Sequence, residues 1–236
     1  MAMKRSKKTL IEMGVAGAVG AVVGFWKLKH GFHPESFWPA GVNHFDYDIE
    51  SNRLLPAFLL WMTFAAYWTI AARNSAETEK SEPGVSTYFH QLVLALALFL
   101  LFWAVPGLTG WFLPQRFHFL VAVGASVQAG FLLLAVWARR HLGKNWSAEV
   151  RIAVGHQLVR TGPYRFVRHP IYTAMLGMFL GTAISSSQYH ALVGLAILVL
   201  AYMRKTRLEE QILRKTFAAD FDAYRRDTWA LVPLLY

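Results

Sequence analysis

The chain predicts an all-α integral membrane helical bundle, with about six transmembrane segments ending in a carboxyl-terminal helical hairpin. Three observations carry that expectation. Of 236 residues, 55% are hydrophobic and only 16% charged, against roughly 25% charged in soluble domains. Apolar stretches recur along the chain, and Leu92 to Val105 and Ala191 to Met203 contain no charged residue at all. Finally, the 24 Lys and Arg, which outnumber 14 Asp and Glu to give a net charge of +10, sort by segment as a membrane topology requires.

Taken in order, Lys4, Arg5, Lys7 and Lys8 precede an apolar stretch from Leu10 to Trp26. The arrangement superficially resembles a secretory signal, but no small-x-small cleavage site closes it and further hydrophobic segments follow, so a retained first helix is expected. A polar loop of about 26 residues, Lys27 to Asn52, comes next and is long for a connection. Leu54 to Ala72, Phe89 to Val105 and Phe117 to Ala138 each offer about 17 to 22 residues, enough to cross the hydrocarbon as helix. Ile171 to Ile184 and Tyr189 to Met203 are shorter and read as a hairpin turning at Ser185, Ser186, Ser187 and Gln188.

With the amino terminus inside, the inner segments hold four basic residues in Lys4 to Lys8, two in Arg73 and Lys80, seven from Arg139 to Arg168 and seven from Arg204 to Arg226. Only Lys27, Lys29, Arg53 and Arg116 fall outside. That 20-to-4 split places both termini in the cytoplasm. It also argues against nucleic acid as a partner, because the charges sit at helix ends rather than along one groove-sized face. There is no cysteine, which removes disulfides, Cys-ligated zinc and thiol nucleophiles. No HExxH, Walker loop, GxGxxG or GxSxG pattern occurs, and no metal site is expected. His90, His118 and His190 fall at helix ends and read as interfacial.

Polarity concentrates in two inner segments flanking the hairpin, Arg139 to Tyr172 and Arg204 to Tyr236, which could fold together over its base. Gly162-Pro163 marks a turn, and Pro170 suits the first turn of a helix, where its missing N–H removes no bond. A helix starting near His169 would present free N–H groups and a positive dipole end beside Arg165 and Arg168, an anion site; alternatively these residues only anchor the helix at the headgroups. His169 and Tyr172 share a face. Glu209 and Glu210 are acidic residues amid basic ones. They either pair with Lys205, Arg207 and Arg214, or one faces the pocket to hold a cationic group or a hydroxyl pair while the other makes the ion pair.

The strings LGKNWS, GHQLVRTGPYRFVRHPIY and EEQILRKTFAADFDAYRRDTWALVP, in that order from Leu142 to Pro233, resemble the isoprenylcysteine carboxyl methyltransferase family of integral membrane enzymes in its shorter prokaryotic-type form. The resemblance implies S-adenosylmethionine as cofactor and methyl transfer to a carboxylate of a lipophilic acceptor entering from the bilayer. It divides the chain into amino-terminal transmembrane helices over 1–138 and a methyltransferase core over 139–236. It implies cofactor contacts at His156, Gln157, Leu158, Val159, Tyr164, His169, Pro170, Ile171, Tyr172 and Glu209 or Glu210. It puts an acceptor-contacting arginine on Arg204 or Arg207, although the register falls nearest Lys205. Ala218 and Phe221 stand where the family's FGxxYxxY has Gly and Tyr.

A carboxylate acceptor is already nucleophilic, so positioning and desolvation suffice. On that basis Arg165, Arg168 or the helix start would hold the cofactor's carboxylate, Glu209 or Glu210 its ammonium or ribose, and Arg204 would orient the acceptor. The competing readings are a phospholipid or small lipophilic amine N-methyltransferase, a sterol-reductase-like enzyme using NADPH, and a non-catalytic membrane scaffold.

Overall fold

The computed structural model describes residues 44–72, 84–102, 108, 110–113, 118–143, 146, 158–233 and 236. Among these the chain is all-helical: α1 (His44–Ala71), α2 (Gly84–Phe102), α3 (Phe119–Leu142), α4 (Pro170–Ser186) and α5 (Tyr189–Asp227), with a 3-10 turn at Gly162–Arg165 before α4. Two stretches, Arg53–Ala71 and Phe119–Leu142, are long and apolar enough to cross a membrane, with mean hydropathies of 1.6 and 2.2; Phe89–Phe102 is a shorter apolar helix. Five of the six expected segments therefore have helices, while the first, Leu10 to Trp26, lies outside the described residues.

The hairpin turns where the serine run predicts. α4 begins with Pro170 at its first position and ends on Ser187, which adopts a left-handed conformation (φ 58°) while its N–H caps the Ala183 carbonyl. α5 differs from expectation in length. It does not end with the apolar run at Met203 but continues through the polar segment to Asp227, 39 residues in all. One break interrupts it, at Ala218, with φ 40° and ψ −114°.

Each arm of the hairpin packs more extensively on another helix than on its partner arm: α4 lies along α3, and α5 along α2. The α3–α4 crossing is made by glycine. A Cβ on Gly181 would sit 2.5 Å from the Gly124 carbonyl oxygen, and one on Gly124 would sit 2.4 Å from that of Gly181. Small residues let membrane helices approach until backbones touch, where van der Waals contact replaces a hydrophobic driving force that lipid cannot supply. Around this seam Trp61, Leu132, Met178, Phe179, Leu198 and Tyr202 form the apolar core, with Trp61 edge-on to Phe179 at 5.0 Å.

A polar chain runs through that core. Trp61 Nε1 donates to Thr182 Oγ1 (3.1 Å), Thr182 Oγ1 lies 3.2 Å from Gln128 Oε1, and Gln128 Nε2 donates to the Ala57 carbonyl (2.9 Å). These bonds tie α1, α3 and α4 together and satisfy groups that would be costly to bury unpaired. At the other end of α3, Arg139 is buried rather than solvated. It donates to the Ala71 carbonyl (2.6 Å) and the Gly143 carbonyl (2.8 Å) and lies over Trp146 at 4.4 Å. A cation thus caps the carboxyl ends of α1 and α3, where carbonyls lack helical partners.

The histidines expected at interfaces divide. His118 is exposed, but His190 is buried, with Nδ1 2.6 Å from the Leu100 carbonyl. His90 lies against the Tyr202 ring at 5.4 Å.

Candidate active site

The base of the hairpin is shaped by backbone pairing between segments about 60 residues apart. Gly162, at φ 61°, opens the 3-10 turn, and the Tyr224 hydroxyl donates to the Tyr164 carbonyl (2.6 Å). Val167 then pairs in parallel with Trp229. The Arg168 N–H donates to the Trp229 carbonyl (2.8 Å), the His169 N–H to the Ala230 carbonyl (3.1 Å), and the Trp229 N–H to the Phe166 carbonyl (3.2 Å). The carboxyl-terminal tail is thereby laid along the approach to α4, and the His169 N–H expected to be free is used by that tail.

This pairing delivers Arg168, His169 and Tyr172 to Glu209 and Glu210 on α5. Arg168 Nε donates to Glu210 Oε1 at 2.7 Å, His169 Nδ1 is 3.2 Å from Glu209 Oε2, and His169 Nε2 is 3.4 Å from Glu210 Oε1. Arg225 Nε approaches Glu210 Oε2 at 3.7 Å. The Tyr172 hydroxyl donates to Glu209 Oε1. Arg168 Nη1 also donates to the Thr228 carbonyl and to the Arg225 carbonyl (3.2 Å). Beside the charges stands a column of rings: His169 on Tyr172 at 5.7 Å, Tyr172 on Tyr202 at 4.7 Å, and Tyr202 against His90.

Burial and pairing act in opposite senses on these groups. Burial alone would push the His169 imidazole down, but hydrogen bonds and charge from Glu209 and Glu210 outweigh it and hold the pKa above the usual histidine value. Burial would raise both carboxylates. Instead His169, with Lys205 and Tyr172, holds Glu209 below its ordinary value, and His169 with Arg168 brings Glu210 to about 2. A carboxylate depressed in the fold stabilises above its unfolded pKa and loses that contribution as pH falls through the folded value. An imidazole raised in the fold stabilises below its unfolded pKa and loses that contribution as pH rises through the folded one. The cluster is therefore complete from the ordinary carboxylate value of 4.5 up to the ordinary histidine value of 6.5, and persists above that until His169 deprotonates. Thermal unfolding across pH should show stability falling on both sides of this window, and His169→Gln should remove the alkaline limb.

Of the residues proposed from sequence, Tyr164, Arg168, His169, Pro170, Ile171, Tyr172, Glu209 and Glu210 lie at this junction. Leu158 and Val159 are half-buried in the strand-like lead into the turn. His156 and Gln157 lie outside the described residues. Arg165 is exposed over Phe166, Arg204 is exposed with its guanidinium 5.1 Å from the Phe89 ring centre, and Arg207 Nε donates to the Tyr236 hydroxyl (3.3 Å). Glu209 and Glu210 pair mainly with Arg168 and His169 across helices; along α5 it is Arg225, not Lys205, Arg207 or Arg214, that approaches Glu210. Tyr202 was missed, although it stands seven residues before Glu209 and so shares its face; Lys205, named from sequence as a partner of the glutamates and as the position nearest the acceptor register, is buried four residues before Glu209. Trp229 acts through backbone atoms and leaves no side-chain signature, and Thr228 contributes both its carbonyl and its hydroxyl, which lies 3.4 Å from Arg168 Nη1 and donates to the Tyr224 carbonyl (2.6 Å).

A cleft of about 300 Å³ adjoins the cluster, lined by Arg168, Arg225, Arg226, Thr228, Trp229 and Tyr236 among others. The donor set suits a ligand such as S-adenosylmethionine: carboxylates for ammonium or hydroxyl groups, cations for a carboxylate, aromatic faces for a flat base or a sulfonium. Among the described residues no group of His, Asp and Glu could hold a metal ion.

Residues 119–220 match the family model described as phospholipid methyltransferase. The chain is also 28% identical over 120 residues to an uncharacterized protein of Bacillus subtilis (strain 168), YpbQ, an alignment covering 48% of this chain and 66% of that relative, just under two thirds of its length. The matched stretch is less than half of the chain and takes in α3, α4, most of α5 and, within the charged cluster, Arg168, His169, Tyr172, Glu209 and Glu210.

Proposed function

We propose that the protein transfers a methyl group from S-adenosylmethionine to a carboxylate of a lipophilic, isoprenylcysteine-like acceptor, giving a methyl ester at the cytoplasmic side of the membrane. One observation carries the reading: two half-buried carboxylates and two cations, Glu209, Glu210, Arg168 and His169, are brought together beside stacked tyrosines where a membrane hairpin meets its polar tail. When bound, the cofactor supplies an electrophilic methyl on a sulfonium. Glu209 and Tyr172, with His156 to Val159, Tyr164 and His169 to Ile171, would hold it, and the apolar faces of α2 and α5 would admit the acceptor's tail. Arg168 keeps Glu210 ionised and the tail docked, so its role is positioning. Arg204, at the mouth beside Phe89, would steer an anionic acceptor.

This work is orientation and exclusion of water. A carboxylate oxygen would bond to the methyl carbon as the carbon–sulfur bond breaks and the neutral thioether leaves, so no proton is released and no base is consumed. The second reading is a phospholipid N-methyltransferase, favoured by the description of the matching family model. An ammonium acceptor would first have to lose a proton, and both carboxylates here are held by cations.

Full-length protein in vesicles, given methyl-labelled S-adenosylmethionine with either a prenylated carboxylic acid or phosphatidylethanolamine, separates the two. Label released as methanol by mild base is expected, from the acid. Base-stable label on the aminolipid would replace this reading with the second.

A further inference from the structure

Nothing local breaks α5 at Ala218. The sequence there, Thr216-Phe217-Ala218-Ala219-Asp220, has neither Gly nor Pro, and alanine continues a helix better than any other residue. Yet Ala218 sits at φ 40° and ψ −114°, where a side chain brings strain that glycine escapes. Such a conformation persists only where the surroundings over-determine it.

They do so from both sides of the break. Arg214 Nε lies 3.0 Å from Asp222 Oδ1; on an unbroken helix residues eight apart are separated by about 12 Å along the axis, so this pair forms because the helix bends. Past the break, Arg160 Nη2 meets the Asp220 carboxylate (3.2 Å) and donates to the Asp220 carbonyl (2.7 Å), the Tyr224 hydroxyl donates to the Tyr164 carbonyl, and Trp229 pairs with Val167. Before it, Tyr202 stacks on Tyr172, and Glu209 and Glu210 meet His169 and Arg168. The near half of α5 is thus tied to the bundle and the far half to the segment leading into α4. Local preference for a straight helix opposes tertiary ties that demand a bend, and such a contest gives one element two discrete arrangements.

We propose that α5 is a two-state strap over the hairpin base. Bent at Ala218, it lays Trp229 and Ala230 against Phe166 to His169 and closes the site; straight, it lifts that tail away and opens it. Entry of the methyl donor and departure of its demethylated product take place through the straight form, a step that rests on the proposed function. Glycine at 218, the residue FGxxYxxY carries, would be relaxed in the bend and unfavourable in the straight helix. Alanine reverses both preferences, so the strap of this chain opens more readily than one with glycine there.

The chain has no cysteine, so Arg140→Cys at the end of α3 and Val232→Cys on the tail, both exposed, are the only positions that take spin labels. Double electron–electron resonance on the full chain in detergent should show two distance populations, whose ratio moves one way in Ala218→Gly and the opposite way when Arg160→Ala and Arg214→Ala are combined. A single population, or a ratio that neither change moves, overturns the strap. In stopped flow, S-adenosylhomocysteine should leave Ala218→Gly roughly 3- to 10-fold more slowly than wild type and the double variant about threefold faster. Equal dissociation rates in all three overturn the gating role, and faster release from both variants assigns Ala218 to the fold and overturns it too. Opposite shifts of the distances in a chain that binds no S-adenosylhomocysteine uphold the strap and remove the methyl-donor reading.

Discussion

Replacing Glu209 and Glu210 together with Gln is expected to abolish measurable S-adenosylmethionine binding and to loosen the carboxyl-terminal tail. The double variant leaves Arg168 and His169 buried without their counter-charges, and breaking a buried pair from one side costs about 3–5 kcal/mol. The Glu209 and Glu210 side chains are 20% and 16% exposed, so solvent recovers part of that, leaving about 2–3 kcal/mol of lost stability. The single variants should separate. Glu209→Gln removes the negative charge beside His169 and Tyr172 while keeping an oxygen that can accept from Tyr172, and it leaves the Arg168 pair intact, so calorimetry should register lost ligand affinity with little change in melting temperature. Glu210→Gln frees Arg168 Nε, and limited proteolysis should then cut the tail after Asp227 more readily. Unchanged ligand affinity in the double variant would remove these carboxylates from the cofactor site.

The second large effect lies in the scaffold. Gly181→Val should prevent correct assembly of the protein, because its Cβ would fall 2.5 Å from the Gly124 carbonyl oxygen and 2.7 Å from the Gln128 backbone nitrogen. Backbone cannot yield there without separating α3 from α4 and breaking the Gln128–Thr182–Trp61 chain beside it. Overpacking typically costs about 1–3 kcal/mol, and losing the buried polar chain adds to it. Thermal unfolding in detergent should show a marked drop in midpoint. Gly130→Ala on α3, where no atom lies within 4 Å of the added Cβ, is the control and should melt like the wild type. Equal melting of Gly181→Val and wild type would mean that α3 and α4 do not cross on glycine.

What the sequence made legible was local. Pro170 marked a helix start and the serine run a turn, because fixed φ and side-chain competition for backbone bonds act within a few residues. Arg168, His169, Tyr172 and the two glutamates stood out as dense polarity beside apolar runs. The length of α5 was not read from the sequence: beyond Met203 the apolar positions Leu208, Leu213, Phe217, Phe221 and Tyr224 keep helical spacing, but they are interleaved with charge, and Glu209 and Glu210 reach across to the residues that open α4. Its break at Ala218 lies in a backbone region that favours glycine, at the position where FGxxYxxY would carry one. The backbone pairing of Phe166–His169 with Trp229–Ala230 was invisible because main-chain bonds carry no residue code. Lys205 was named from sequence, but its burial was not legible, since only packing distinguishes a buried cation from its solvated neighbours.

The central claim is a place: a methyl-donor site at the hairpin base, between His169–Tyr172 and the Tyr202–Glu209 face of α5. Ultraviolet cross-linking of labelled S-adenosylmethionine to the full-length protein, followed by mass-spectrometric mapping of the modified peptides, tests it directly. Adducts confined to peptides containing Tyr172 or Tyr202, and lost in Glu209→Gln, are the predicted result. Adducts elsewhere in the chain, or cross-linking indifferent to Glu209, would contradict it.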